Sequence, residues 1–442
     1  MLEFNKIWIF FALVSKKLIF QEDIPLIALL FPGQGSQYIG MGKSLADEFP
    51  IARRTFEEAD DVLKINLSSL CFEGELSQLT RTEYTQPALL TASVAAYRVY
   101  MDEIGLKPSF AVGHSLGEFS ALTCSGAISF ADTLKIVCQR GILMQEAVTN
   151  GLGIMTAVGQ VDRKRVEELC VRISTKEKPV VIGCYNAPEQ LVLSGHQEAV
   201  SKVAELLEIE GATVTPLKVS ASFHSPMMEP AADQFKHMLS QYNFCLGDYP
   251  VISNVTALPH ESDHLRDLLT RQMTEPVRWQ ESMEYLQLQN VKIAIELGPK
   301  QVLQNLMKKN APSIQTVSLG ETGDIPKTKG VFNRENIEPS FIGKCLAIAV
   351  ATKNRNWDNE AYVKGVIEPY QKVKQISMLL DQTKQEPTRE QMVEALLMLR
   401  SVFETKKVPH SEQQKRLKQL LRKPAVHEFA LSEQGDFTWP NF

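Results

Sequence analysis

None of the seven cysteines forms a CxxC pair or stands at a spacing that suits a metal site. Cys71, Cys124, Cys138, Cys170, Cys184, Cys245 and Cys345 are scattered and odd in number. That pattern excludes a disulfide framework and reads as reduced, mostly buried thiols of a cytoplasmic protein. A dominant charge is also missing: 47 Lys and Arg against 52 Asp and Glu leave a net −5, which argues against a nucleic-acid binder. No apolar run is long enough to cross a bilayer; Ile7–Val14 falls well short of the ~20 residues a spanning helix needs. No small-residue cleavage site follows that run, so a secretory signal is not expected. Residues 1–23 read as a disordered leader, with a membrane-surface anchor as the second reading. The 442 residues, 44% hydrophobic and 22% charged, suit a globular chain of two or three domains.

What the sequence does contain is Gly113-His114-Ser115-Leu116-Gly117, directly behind the apolar run Phe110-Ala111-Val112. A strand that ends in Gly-x-Ser-x-Gly and passes into a helix turns sharply and pushes the serine hydroxyl out at the apex. Strands alternating with helices on either side predict a parallel sheet in an α/β domain. Residues 151–220 read as a separate unit with the order β-α-β-β-α-β, a ferredoxin-like insertion. The core is expected over 24–150 and 221–320. The polar stretch 321–339 reads as a linker, and 340–442 as a helical C-terminal extension ending in an aromatic tail. Thr388 with Gln391, and Ser411 with Gln414, look like capping boxes.

A nucleophilic serine needs a base. His224, in Ser222-Phe223-His224-Ser225, follows the last strand of the insertion, where the chain re-enters the core. His114 competes, but a residue beside the nucleophile suits a supporting hydrogen bond better. His196, His237, His260, His264, His410 and His427 read as surface residues. An oxyanion needs two convergent N–H groups; Leu116 opens the elbow helix, and the Gly33-Gln34-Gly35 turn offers a second. No acidic third member stands out, so a Ser–His dyad is expected, its histidine oriented by a carbonyl. Arg140 sits in an apolar helical pattern and reads either as a snorkelling surface residue or as a fork for a substrate carboxylate.

Phe31-Pro32-Gly33-Gln34-Gly35-Ser36-Gln37, Gly113-His114-Ser115-Leu116-Gly117-Glu118, Gln139-Arg140-Gly141, Phe223-His224-Ser225 and Glu296-Leu297-Gly298-Pro299 together resemble the malonyl-CoA:acyl-carrier-protein transacylases. The resemblance covers roughly residues 24–320. It implies an α/β-hydrolase-like core with an inserted ferredoxin-like subdomain. It further implies Ser115 as acylated nucleophile, His224 as base, the backbone of Gln34 and Leu116 as oxyanion hole, and Arg140 as the clamp on a malonyl carboxylate. The family orients its histidine through a main-chain carbonyl near Thr274–Trp279, where Arg278 occupies the matching position. Asn254 and Asn186 resemble supporting polar positions. Leu116 and Phe223 look like the malonyl-selective pattern, since a bulky residue before the histidine crowds an α-methyl group.

The implied substrates are malonyl-CoA and an acyl carrier protein, with no cofactor, no metal, no nucleic acid and no membrane. The ends depart from the core family. Lys406, Lys407, Lys415, Arg416, Lys418, Arg422 and Lys423 read either as a solvated face or as a docking surface for a carrier protein or synthase domain. The alternative function is an acyl hydrolase of the same fold, against which Arg140 argues, because a plain acyl chain would leave a buried cation unpaired.

Overall fold

The structure, a computed structural model, describes residues 25–147, 152–217, 221–332, 341–352, 354–356, 358–383 and 387–420. These divide into two units, 25–332 and 341–420. The leader 1–23 and the tail beyond 420 lie outside the described residues.

The first unit holds nine strands: β1 Ile27–Phe31, β2 Phe110–Gly113, β3 Gly153–Gly159, β4 Val180–Ala187, β5 Gln190–His196, β6 Thr213–Pro216, β7 Val251–Ile252, β8 Ile293–Leu297 and β9 Gln315–Leu319. Five form a parallel sheet in the order β7-β2-β1-β8-β9. Central β1 reads Ile-Ala-Leu-Leu-Phe and every residue of it is buried, as expected of a parallel strand covered on both faces. Parallel pairing sets Phe31 beside Gly113. The loops that follow β1, β2 and β7 therefore leave the sheet at the same carboxyl edge, where open α/β sheets place their sites. The helix Leu116–Cys124 behind β2 is buried along most of its length, so it is held by packing on all sides rather than by one apolar stripe.

The other four strands form an antiparallel sheet in the order β4-β5-β3-β6. Helices Arg163–Ile173 and Gln197–Ile209 supply Val166, Leu169, Val200 and Val203 to its core. This is the ferredoxin-like arrangement. It is stitched to the rest of its unit: Val277 N–H donates to Gly183 O (2.9 Å), and Tyr185 N–H to Val277 O (2.9 Å). Ser194 Oγ on β5 donates to Phe223 O at 2.5 Å, which pins the segment carrying His224.

Several elements differ from the sequence reading. Residues 322–331 are not linker. Glu321 and Asp324 make a capping box, and Pro326 opens the helix Ile325–Val331. Ile325 and Val331 are buried, and Thr328 Oγ1 donates to Ser318 O (3.3 Å). Strand β9 was not anticipated. The last strand of the insertion is assigned over Thr213–Pro216, and Leu217 N–H still donates to Met155 O on β3 (3.0 Å); residues 218–220 lie outside the described residues.

The second unit is helical: Phe341–Ala351, Asn359–Tyr362, a π-helical turn Val363–Ile367, Glu368–Thr383, Arg389–Thr405 and His410–Leu420. Its core gathers Ile342, Cys345, Val373, Leu399, Val402, Phe403 and Leu417. The Thr388–Gln391 capping box forms, whereas Ser411 lies inside its helix, which starts at His410. Lys406 is no surface charge: it is buried, and its Nζ donates to Ala349 O (2.8 Å) and Thr352 O (2.9 Å). It closes the C-terminal end of another helix, where orphan carbonyls favour a cation. The basic face therefore loses one of its seven expected members. No helix among the described residues is long and apolar enough to cross a membrane.

Candidate active site

The site begins with a backbone that only glycines permit. A Cβ on Gly113 would stand 1.8 Å from Gly117 C, and one on Gly117 would stand 1.9 Å from Phe31 O. With the strand and helix in that close contact, Ser115 sits between them at φ 52° and ψ −105°. Such strain in a non-glycine residue costs about 1–3 kcal/mol and persists only where the surroundings fix it. Here Asn254, from the loop after β7, does so: its Oδ1 accepts from Ser115 N–H (2.7 Å), and its Nδ2 donates to Gly113 O (2.7 Å).

His224 also has a positive φ, 59°, and it reaches the serine. Its Nε2 lies 2.9 Å from Ser115 Oγ, and its Nδ1 lies 2.7 Å from Gln272 O. A carbonyl only accepts, so Nδ1 carries the proton and Nε2 presents a bare lone pair to the hydroxyl. Gln272 follows the helix Leu265–Arg271 as its C-cap, and carbonyls at a helix C-terminus lack an intrahelical donor. The orienting carbonyl thus belongs to Gln272. The carbonyl of Arg278, the position expected from the sequence, instead accepts from Ser282 N–H (3.0 Å) and Ser282 Oγ (2.9 Å). Burial first, then the nearby Arg140 cation, pulls the His224 pKa down to about 3.

Arg140 is 1% exposed, which settles the snorkelling alternative against it. Its Nη1 donates to Gln86 Oε1 (2.8 Å), and its Nη2 donates to Gln272 Oε1 (2.9 Å) and stands 3.4 Å from Ser115 Oγ. The Phe119 ring lies 5.3 Å from the guanidinium carbon, and Nε has no partner among the described residues. Burial lowers the Arg140 pKa to about 10, opposed by the Glu118 carboxylate. A buried cation met only by neutral oxygens is half-satisfied, and that favours an incoming anion.

The remaining expected residues fall around this centre. His114 Nε2 lies 2.8 Å from Asn186 Oδ1, and burial lowers its pKa. That tie to the subdomain leaves the base position to His224. Phe223 is buried. A Cβ on Gly33 would meet His114 O at 2.3 Å, so the turn bearing Gln34 lies against the elbow backbone. Leu116, buried, is the first residue of the elbow helix.

The sequence reading missed four participants. Gln86 and Gln272 hold Arg140. Glu118 is fully buried, and its Oε1 lies 2.6 Å from His260 Nε2. His260 is therefore buried rather than a surface residue. So is His196, whose Nδ1 caps the helix that follows it by accepting from Glu198 N–H (3.3 Å).

Comparison with known proteins decides the family. The acyl transferase domain family matches residues 28–328. A malonyl CoA-acyl carrier protein transacylase of Bacillus subtilis is 42% identical over 397 residues, 89% of this chain and 99% of that protein. The chain is a malonyl-CoA:acyl-carrier-protein transacylase by family. The corresponding transacylase of Escherichia coli strain K12 is 40% identical over 296 residues, 66% of this chain and 96% of its own length. A match spanning 89% of this chain is too long for residues 1–333 alone, so the Bacillus subtilis likeness runs into the C-terminal helices. Among solved structures, a malonyl-transacylase in complex with its type II polyketide-synthase acyl-carrier protein superposes with TM-score 0.66 and 38% identity, over 68% of this chain and 98% of that one. The protein is an acyltransferase.

Proposed function

We propose that this transacylase moves malonyl from malonyl-CoA to the phosphopantetheine thiol of an acyl carrier protein through an ester on Ser115. His224 Nε2 takes the hydroxyl proton as Ser115 Oγ attacks the thioester carbonyl. The tetrahedral oxyanion forms facing the N–H groups of Leu116 and Gln34; Ser115 N–H is already committed to Asn254. Collapse breaks the C–S bond, and the CoA sulfur leaves with the proton from His224. The carrier thiol then repeats the steps in reverse: it gives its proton to His224, attacks the ester and restores Ser115. Binding alternates in ping-pong order because both thiols need the same base.

Throughout, Arg140 holds the free carboxylate. The observation that carries the reading is this buried guanidinium, 3.4 Å from the nucleophile and bonded only to neutral oxygens. A hydrolase for plain acyl groups has no use for it. His114 with Asn186, and Asn254, support the elbow. Phe223 before the base narrows the space for an α-methyl group, a discrimination worth about 1–3 kcal/mol. The reaction needs no cofactor or metal and suits a cytoplasmic enzyme supplying extender units for fatty acid, polyketide or lipopeptide assembly.

The test is intact-protein mass after brief mixing with malonyl-CoA, acetyl-CoA and methylmalonyl-CoA in competition. The parent enzyme gains chiefly the malonyl adduct, and Ser115→Ala gains none. Faster loading of acetyl or longer acyl groups would instead support the hydrolase.

A further inference from the structure

Arg140 lacks a carboxylate at hydrogen-bonding distance among the described residues, yet it is not without a counter-charge. Gln272 bridges the gap. Its Oε1 accepts from Arg140 Nη2 (2.9 Å), while its Nε2 donates to Glu118 Oε2 (2.6 Å) and to Ser115 O (2.9 Å). One amide is thus held between a buried cation and a buried anion, each fixing which end faces it. The Glu118 carboxylate is itself fixed on both oxygens, by His260 Nε2 (2.6 Å) on one and by Asn254 N–H (3.2 Å) on the other. Since a carboxylate only accepts, His260 donates through Nε2. Glu118 sits in the first turn of the elbow helix, whose N-cap position is Ser115.

We propose that Glu118, held by His260, is a positioning residue that acts through the Gln272 amide to aim the Arg140 fork at the substrate carboxylate. Glu118 touches neither substrate nor nucleophile. Its carboxylate decides the orientation of Gln272, and Gln272 sets where Nη2 points. The same glutamine also supports Ser115 and His224, but those contacts serve every acyl group alike. Only the Arg140 arm distinguishes malonyl from acetyl. Loss of the Glu118 charge should therefore appear in the choice of acyl group.

This inference rests on the reading of Arg140 as carboxylate clamp, and the experiment separates the two. Malonyl and acetyl loading rates are measured by rapid quench and intact mass for the parent, Glu118→Gln, Arg140→Ala and the double variant. Glu118→Gln keeps the size but exchanges one accepting oxygen for an N–H donor and removes the charge, and is expected to lower the malonyl-over-acetyl preference about tenfold, as befits loss of a charge-assisted bond. In the Arg140→Ala background the same change should alter the preference no further, the mark of two residues acting as one. His260→Leu, which leaves the carboxylate but removes its donor, should lower the preference in the same direction by about threefold. It carries the test if Glu118→Gln does not fold. An equal loss for both acyl groups, an unchanged preference, or full additivity with Arg140→Ala would overturn the proposal. An unchanged preference in Arg140→Ala alone would instead overturn the clamp.

Discussion

Arg140→Ala is expected to lower malonyl loading about 100- to 5,000-fold relative to acetyl loading. The magnitude follows from burial. Removing one partner of a buried ion pair costs about 3–5 kcal/mol, because the remaining charge is left uncompensated. In the parent the malonyl carboxylate meets a guanidinium that is 1% exposed; in the variant it meets only the amides of Gln86 and Gln272. Acetyl carries no charge into the site and escapes that penalty. In the parent, acetyl also leaves the cation without an anion, so the two effects push the ratio the same way. Competition loading followed by intact mass reads the ratio directly. A variant that keeps its malonyl preference would show that the carboxylate lies elsewhere.

His224→Ala is expected to slow loading about 100- to 10,000-fold, the usual contribution of a positioned general base. The parent should also show an unusual acid limb. An ordinary imidazole with a pKa near 6.5 loses its lone pair as pH falls through that value. In the folded enzyme the His224 pKa is lowered to about 3, so Nε2 stays free and loading stays level between about pH 8 and 5. The unfolded chain, whose imidazole does take the proton below about 6.5, gains by protonation what the native state refuses. Stability contributed by keeping His224 neutral is therefore full above about 6.5 and is lost as pH falls from there toward 3. Loading rates and urea midpoints across that range check both statements; a rate that halves near pH 6.5 would contradict the first.

The elbow was legible in the sequence because its cause is local. A buried strand, two glycines and a serine at one spacing dictate the turn, and the 1.8–1.9 Å approaches show why no other residues fit. The ferredoxin-like order was legible because apolar periodicity changes from two to 3.6 and back within a short stretch. His224 was legible as the histidine where the chain re-enters the core. What the sequence hid is what depends on distant contacts. A main-chain carbonyl leaves no trace in residue type, so the support of His224 fell on Gln272 rather than near Arg278. Glu118, Gln86 and His260 look like any polar residues until the fold removes water from them. Strand β9 carries Gln315 and Thr316 on an edge and lacks the continuous apolar run of its neighbours. The helix Ile325–Val331 had its signals in place, the Glu321–Asp324 box and Pro326, but Lys327, Lys329 and Gly330 after them gave the segment the composition of a linker.

The most direct test of the account is the fate of the isolated malonyl-Ser115 enzyme. After removal of free malonyl-CoA, the acylated protein is mixed with holo acyl carrier protein or with buffer alone, and the acyl group is followed by mass. The account predicts rapid discharge onto the carrier thiol, with the malonyl adduct appearing on the carrier and the ester persisting in buffer. Discharge to free malonate at the same rate in both mixtures would contradict it and make the protein a hydrolase.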